Sequence, residues 1–596
     1  MDPNNRDRRN LVAQWAFDTR PILGRFHLWL EDVRVDWLRG ETPEMDRQAS
    51  TSFVGEGTER QLIMTAAVTA LGTQLFGRYG EGAHLDKKGL NQVKKDADAI
   101  SAYAMSESLW YLTRSLPENH AIMVCLGEGL MAKAGETLEM GANPLLGFGR
   151  IYARPQVAKF LDERVQRMIN QADYGWEEFH HDVQSAGVTV WGTAIDTLEN
   201  TSRFAKGAST GPMTVLHVFN QPLAITNQYE GYIGTLVLPR EVVDTAEEES
   251  ILLDFFTPRE KVLDVIRKTY PGVREENVHV WTLRGKGRQP RIGRLWEQWE
   301  RLGVHLVDDG WVLPTGSEAF TESGTYAPTF TVGTWEEEKG EQHLFIVDGY
   351  AASAEAIQAA SLYPVLGLNV SMAMFSSRFN LSYEDEAKIM RLDPNAPDFR
   401  QRLSTIFGKD QDETQAALYR EDILLAKNAG IPLKKRTISA DDFFPEKRWR
   451  VMAISGYMLD DPYTGAPGVK QITEDTFEVT VRLTTRRADK RVTFALRLEE
   501  TVEESRLVFN PLLNRFLRGE NHRERAVKIS DSGRIRNELQ TLCSTALEHF
   551  GSGRMRVHFD RIQEDVISRE EQVVLREILS WYKQNHPIWF NWLELA

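Results

Sequence analysis

Apolar positions along the chain alternate between helical and strand spacing from end to end. The first sixty residues, rich in Arg and carrying Trp15, Trp29 and Trp37, predict a helical extension that ends at Pro43 and Gly55-Glu56-Gly57. Residues 61–116 predict helices. One of them opens at Asp98, after which Ile100, Tyr103, Ala104, Leu109 and Leu112 recur at roughly helical intervals. Ala121-Ile122-Met123-Val124-Cys125-Leu126 is an apolar run of strand length, closed by Gly127-Glu128-Gly129. Residues 131–186 predict a charged, mostly helical insert. A second strand, 188–195, then runs into Asp196-Thr197-Leu198-Glu199-Asn200-Thr201. Strands follow at 214–219 and 235–239. A strand, basic loop and helix are expected over 279–302. A strand over 343–347, a turn at Asp348-Gly349-Tyr350 and a helix over 353–361 come next. Residues 379–430 read as polar helices, 449–500 as alternating strands, and 530–596 as mostly helical. Intermixed strands and helices define an α/β or α+β class with a large non-parallel component.

Composition narrows the possibilities. Of 596 residues, 42% are apolar and 26% charged, enough for a large core without staples. Asp plus Glu number 86 against 71 Lys plus Arg, a net charge of −15, which argues against general binding to nucleic acid or to an anionic membrane. Two cysteines, Cys125 and Cys543, are too few for a disulfide framework or a thiolate metal site, and fit a reducing cytoplasm. The polar start shows no export signal. The longest uncharged stretch, residues 61–77, is interrupted by Thr65, Thr69, Thr73 and Gln74 and falls short of the ~20 apolar residues of a membrane span.

The chemistry resides in acids delivered where strands end. Glu128 follows the first strand, Asp196 and Glu199 the second, and Glu355 lies in the first turn of the helix after the 343–347 strand. Singly, each reads as a helix cap favoured by the helix dipole. Together they form the carboxylate set that hard divalent cations such as Mg²⁺ and Mn²⁺ prefer.

Their order along the chain resembles a known family. Lys94-Lys95-Asp96-Ala97-Asp98, then Gly127-Glu128-Gly129, then Asp196-Thr197-Leu198-Glu199-Asn200-Thr201 are similar to the motifs of class II, bacterial-type fructose-1,6-bisphosphatases, of the lithium-sensitive sugar and inositol phosphatase superfamily. Phe204 and Gly207, Tyr232 before Leu236-Val237-Leu238-Pro239, Pro290-Arg291, Asp308-Asp309-Gly310 and Asp348-Gly349-Tyr350 through Glu355 continue the resemblance in order, as do Asn428-Ala429-Gly430-Ile431 and Ile454-Ser455-Gly456-Tyr457-Met458. The departures are Leu130 for a Glu, Thr197 and Asn200 for a Pro and a Gly, Ile292 for a His and Trp311 for an Asp.

The resemblance implies a layered αβαβα fold with extra helical elements. The expected organisation is a helical extension over 1–60, a metal-binding half over 61–240 containing the 131–186 insert, a second half over 241–500, and a mostly helical extension over 501–596. It also implies metal-dependent hydrolysis of a sugar (bis)phosphate, in gluconeogenesis or related carbohydrate metabolism, by a cytoplasmic homo-oligomer without nucleic-acid or membrane partners. Asp98, Glu128, Asp196, Glu199 and Glu355 would hold Mg²⁺ or Mn²⁺. Thr201 would orient the attacking water, Glu128 would accept its proton, and Lys94 would sit beside the phosphate. Tyr232, Arg291, Asp309 and Arg203 are the substrate-binding candidates.

Three further features compete for attention. Arg284, Lys286, Arg288, Arg291 and Arg294 form either a phosphate grip or a solvated loop. His180 and His181, with Glu177, have no matching third ligand and read as surface or packing residues. The terminal aromatics Trp581, Tyr582, Trp589, Phe590 and Trp592 either dock a partner or close their own core. The alternative to the enzyme is a non-catalytic binding or scaffold protein built on the same fold.

Overall fold

A computed structural model describes residues 26–40, 56–127, 146–171, 173–224, 231–284, 288–314, 316, 319–320, 324–362, 366–376, 382–428, 438–444, 449–459, 468–473, 475–485, 488–500, 536, 539–540, 543–550, 554–564, 567–585, 590 and 592–596. The chain divides into two compact units. One comprises Val33–Lys470 with Glu478–Phe494; the other is built around Ala495–Ala596. The class is α/β, with mixed sheets.

Among the described residues, a first sheet contains β1 (Phe26–Gly40), β2 (His120–Leu126), β3 (Ile151–Ala153), β4 (Thr189–Glu199) and β5 (Met213–Phe219). The second takes β6 (Gly231–Pro239), β7 (Val273–Trp281), β8 (His305–Leu306), β9 (Gly333–Glu336), β10 (Gln342–Ala352) and β11 (Leu368–Ser376). The chain then returns to the first sheet with β12 (Val451–Tyr457), β13 (Val469–Gln471), β14 (Thr476–Thr485) and β15 (Ala488–Glu500). The strand orders are β1-β15-β14-β12-β5-β4-β2-β3, with β13 on β14, and β11-β6-β10-β7-β8, with β9 on β10. Strands β2 and β4 run parallel, as do β10 and β7, while β5 and β12 pair antiparallel.

Helix α1 (Glu56–Phe76) packs on β12 and β5, and α2 (Lys87–Leu112) packs on α1 and β4. Burying α1 requires its hydroxyls to be satisfied. Thr65, Thr69 and Thr73 each donate to the carbonyl four residues back, at 2.8, 2.7 and 2.7 Å. Where α1 crosses β12, a Cβ on Gly456 would lie 3.0 Å from the Ala66 carbonyl oxygen, so a bare backbone permits the approach. No described helix is long and apolar enough to cross a membrane.

Several expectations are corrected. Residues 26–40 form a strand, not part of a helix: Val33-Arg34-Val35-Asp36-Trp37 alternates with period two and finds a partner in β15. Helix α2 begins at Lys87, capped by the Asp86 carboxylate on the Gly89 N–H at 2.8 Å, so Asp98 lies in its interior rather than at its start. The insert combines α3 (Pro155–Asn170) and α4 (Trp176–Ser185) with β3, which pairs antiparallel to β2. Strand β4 runs on through Glu199, and β10 through Asp348 to Ala352.

The smaller unit, expected to be mostly helical, carries a three-stranded sheet of β16 (Leu547–Phe550), β17 (Arg554–Val557) and β18 (Leu593–Leu595) besides the helix Arg569–Asn585. Its strands are only three or four residues long, too short for their alternation to stand out in sequence. Phe590 and Trp592 are buried there with Met555, Val557 and Leu579, closing that unit's own core. Trp589 and the side chains of Trp581 and Tyr582 lie outside the description.

Candidate active site

The site grows from a flaw in the ladder between β4 and β5. Asp196 pairs with Val215 and Glu199 with Met213, so three steps on β4 oppose two on β5. An extra residue of this kind bends a strand and re-aims its side chains. The Asp196 carboxylate accepts the Leu198 N–H at 3.0 Å, the Thr197 hydroxyl meets Ser101 of α2 at 2.8 Å, and Glu199 turns inward. Asn200 then adopts φ +65°, and α5 (Thr201–Lys206) begins. Left-handed backbone is open to Gly and tolerated by Asn, so Asn200 can hold this turn.

The Thr201 hydroxyl lies 3.0 Å from both Asp98 Oδ1 and the Leu198 carbonyl oxygen, so its one proton can go to either, the charged Asp98 being the stronger acceptor. Of the two acids in Lys94-Lys95-Asp96-Ala97-Asp98, Asp96 accepts from Arg78 at 2.5 Å and from Gln92 at 2.8 Å, while Asp98 faces Thr201. Lys94 lies one helical turn before Asp98, on the same side of α2.

Glu199 is 1% exposed, and neither carboxylate oxygen has a hydrogen-bond partner among the described residues. Burial raises its pKa well above the ordinary value, and the negative charge of Glu355 raises it further. The backbone N–H groups of Ala327 and Tyr326 pull it back in part, without forming well-aligned hydrogen bonds. Gly324, at φ +46°, passes so close that a Cβ there would sit 2.2 Å from Glu199 Oε1. Glu355 occupies the first turn of α10 (Ser353–Ser361), which touches β4 of the first sheet and β6, β10 and β11 of the second. An ionised carboxylate in such a place requires a nearby cation. A divalent cation would satisfy these oxygens, but among the described residues Asp98, Asp196, Glu199 and Glu355 do not bring three ligand atoms together at metal-site spacing.

Behind Glu199 lies a network that the sequence did not flag. His217 of β5, wholly buried, meets Ser361 Oγ at 2.7 Å and the Tyr326 hydroxyl at 3.0 Å; Tyr326 meets Ser455 Oγ at 2.9 Å. Burial pushes the His217 pKa down to about 3, leaving a neutral ring. Its one signal was a histidine inside a strand whose every other residue is apolar or Thr.

Strands β2 and β4 are parallel neighbours with Leu126 opposite Ala194, but Glu128 itself lies outside the described residues. Arg203 is buried, donates to the Thr210 carbonyl at 3.1 Å and reaches Asp309 at 3.4 Å, so these two candidates meet. Arg291 is also buried and donates to the Tyr350 hydroxyl at 2.7 Å, tying helix α8 (Gln289–Arg301) to β10. Tyr232 pairs through its backbone with Ala352 and Phe375; its side chain is not described. The basic loop is largely engaged by acids: Arg284 pairs with Asp308 and Arg294 with Glu384, both at 2.7 Å, and Lys286 lies outside the described residues.

No protein-family model matches the chain, and no curated protein matches it.

Proposed function

We propose that the protein is a metal-dependent phosphoric monoester hydrolase acting on a sugar phosphate. The observation that carries this reading is the Thr201–Asp98 hydrogen bond beside the inward-turned Asp196–Glu199 segment. The contacts of α1 and α2 with the first sheet, of α10 with both sheets and of α6 (Arg240–Glu248) with the second are compatible with this reading.

Asp196, Glu199 and Glu355, with Glu128, would hold Mg²⁺ or Mn²⁺. Bound cations would supply neutralisation of the phosphate oxygens and stabilisation of the leaving alkoxide. The chain's own residues do the rest. Because Thr201 gives its proton to Asp98, its oxygen lone pairs remain to accept a hydrogen from the attacking water and aim it. Asp98 is thereby placed to receive a proton at Oδ1 through the Thr201 hydroxyl, a role additional to the metal-ligand role expected for it. Asp309, held by Arg203, is half-exposed and suited to sugar hydroxyls. Arg291, buried on Tyr350, serves packing in this arrangement.

A second reading rests on Trp311. Standing where the family has an Asp, it packs on His279 at 4.5 Å and stacks with Phe345, which favours a binding protein with altered chemistry. Phosphate release from fructose-1,6-bisphosphate, sedoheptulose-1,7-bisphosphate and simpler sugar phosphates, with Mg²⁺ and with Mn²⁺, separates the two. Hydrolysis by the purified protein supports the enzyme, and no release with either metal overturns it.

A further inference from the structure

A second cluster lies on the other sheet, in the hairpin formed by β9 and β10. The turn is closed by the Glu337 N–H on the Glu341 carbonyl at 2.9 Å and the Gly340 N–H on the Glu337 carbonyl at 2.8 Å. Gln342 pairs with Glu336 and His343 with Trp335. Glu337 therefore stands opposite Glu341, and Glu341 and His343, two residues apart, project to one face. One carboxylate oxygen from each Glu and one ring nitrogen of His343 lie within 4.8 Å of one another.

The histidine is the decisive member. His343 is 8% exposed, and its Nε2 is buried without a hydrogen-bond partner among the described residues, 3.4 Å from Glu337 Oε1. Its other nitrogen is anchored: Nδ1 lies 2.9 Å from His279 Nε2, and His279 Nδ1 lies 2.7 Å from His305 Nδ1. Two proton assignments satisfy the row. In one, His305 Nδ1–H donates to His279 Nδ1, His279 Nε2–H donates to His343 Nδ1, and His343 Nε2–H faces Glu337; in the other, His343 Nδ1–H donates to His279 Nε2, His279 Nδ1–H donates to His305 Nδ1, and His343 Nε2 offers its lone pair to a cation held between it and the two carboxylates. A ring whose far N–H is fixed by an acceptor while its near nitrogen is free is the disposition of a metal-bound imidazole. Trp335 stacks on His343 at 5.3 Å with the rings 9° apart, fixing the ring's plane.

We propose that Glu337, Glu341 and His343 form a binding site for a borderline divalent transition cation, of which Zn²⁺ is the representative. One imidazole nitrogen and two carboxylate oxygens, with positions left for water, suit Zn²⁺ or Co²⁺ better than Mg²⁺ or Ca²⁺, which favour all-oxygen shells. Metal–ligand distances of about 2.0–2.2 Å put ligand atoms roughly 3.4 Å apart in a tetrahedron. The His343–Glu337 pair already has that spacing. Glu337 and Glu341 are about half-exposed and free to swing inward. Arg274, 3.1 Å from Glu341 Oε1, competes for that carboxylate and limits the affinity.

The site is independent of the phosphatase reading, and its test reads binding rather than activity. Zn²⁺ affinity is measured on the full chain by competition with a chromogenic chelator, with millimolar Mg²⁺ present to occupy any oxygen-only cation site. Co²⁺ absorption is recorded in parallel. Glu337→Gln/Glu341→Gln, placed on half-exposed side chains, should keep the fold by circular dichroism and lower Zn²⁺ affinity about 100-fold or more, because it removes two charged ligands. The visible Co²⁺ bands should vanish with it. His343→Ala should do the same where it folds. Equal Zn²⁺ affinity and stoichiometry in wild type and the folded double variant would overturn the proposal.

Discussion

Two buried acids, one on each sheet, stand in opposite situations. Asp348 of β10 is 0% exposed and accepts from Arg259 Nε at 2.7 Å, Arg259 Nη2 at 2.6 Å and Trp299 Nε1 at 2.7 Å. Arg259 Nη1 donates to the Phe255 and Thr257 carbonyls. Glu199 of β4 is as deeply buried, yet its oxygens have no hydrogen-bond partner among the described residues and its charged neighbour is another acid, Glu355. A buried charge with every lone pair satisfied holds a fold together; one left open beside a like charge costs stability until a cation arrives. The difference separates a paired buried acid from an unpaired one, the situation in which we propose a ligand role, and residue identity alone does not reveal it.

The comparison can be broken most severely at Asp196. Asp196→Asn removes a ligand charge from the bulged segment and should abolish metal-dependent phosphate release while the melting temperature without metal holds. Residual turnover above a few per cent of wild type would place the ions elsewhere.

Next come paired substitutions with opposite signs. Arg259→Met leaves Asp348 buried and uncompensated and should cost about 3–5 kcal/mol in denaturant unfolding. Glu199→Gln should instead raise the melting temperature of metal-free protein by a few degrees at pH 8 and abolish the rise expected of wild type on adding Mn²⁺. The sign follows from linkage: with its folded pKa raised, Glu199 holds a proton that the unfolded chain releases, so stability is lost as pH rises above about 4.5. If Glu199→Gln destabilises like Arg259→Met, the two acids are alike and the distinction fails.

A smaller effect is expected at Thr201. Thr201→Ala should lower kcat about 10²-fold and leave KM within a few-fold, because the hydroxyl acts on water and not on sugar. A change confined to KM would move Thr201 to the substrate.

The mildest test is acid titration of stability. The His217 pKa is about 3 in the fold against about 6.5 unfolded, so the unfolded chain gains a proton below pH 6.5 that the native chain does not. Stability should therefore fall by up to about 1.4 kcal/mol per pH unit on His217's account as pH drops from 6.5 toward 3. His217→Gln, which keeps a polar partner for Ser361, should flatten that slope. An unchanged slope would mean that the imidazole is charged in the fold.

Local pattern carried much of this in the sequence. Ala121–Leu126 is strand because six consecutive apolar residues suit a position buried on both faces, and β2 is parallel to β4 as such strands tend to be. The helix over 353–361 and the acid in its first turn were equally legible. Long-range pairing was not. Phe26–Gly40 is a strand because β15 lies beside it, and Asp348 stays in a strand because Arg259, 89 residues earlier, neutralises it. Motif order proposed the acids as one set. The tertiary structure alone decided that Thr201 meets Asp98, 103 residues away, and that Glu199 lies near Glu355 without a hydrogen-bond partner among the described residues. It alone aligned His279, His305 and His343 from three strands. Periodicity follows from residues a few positions apart, whereas the state of a buried charge depends on which distant groups the fold brings within a few ångströms of it.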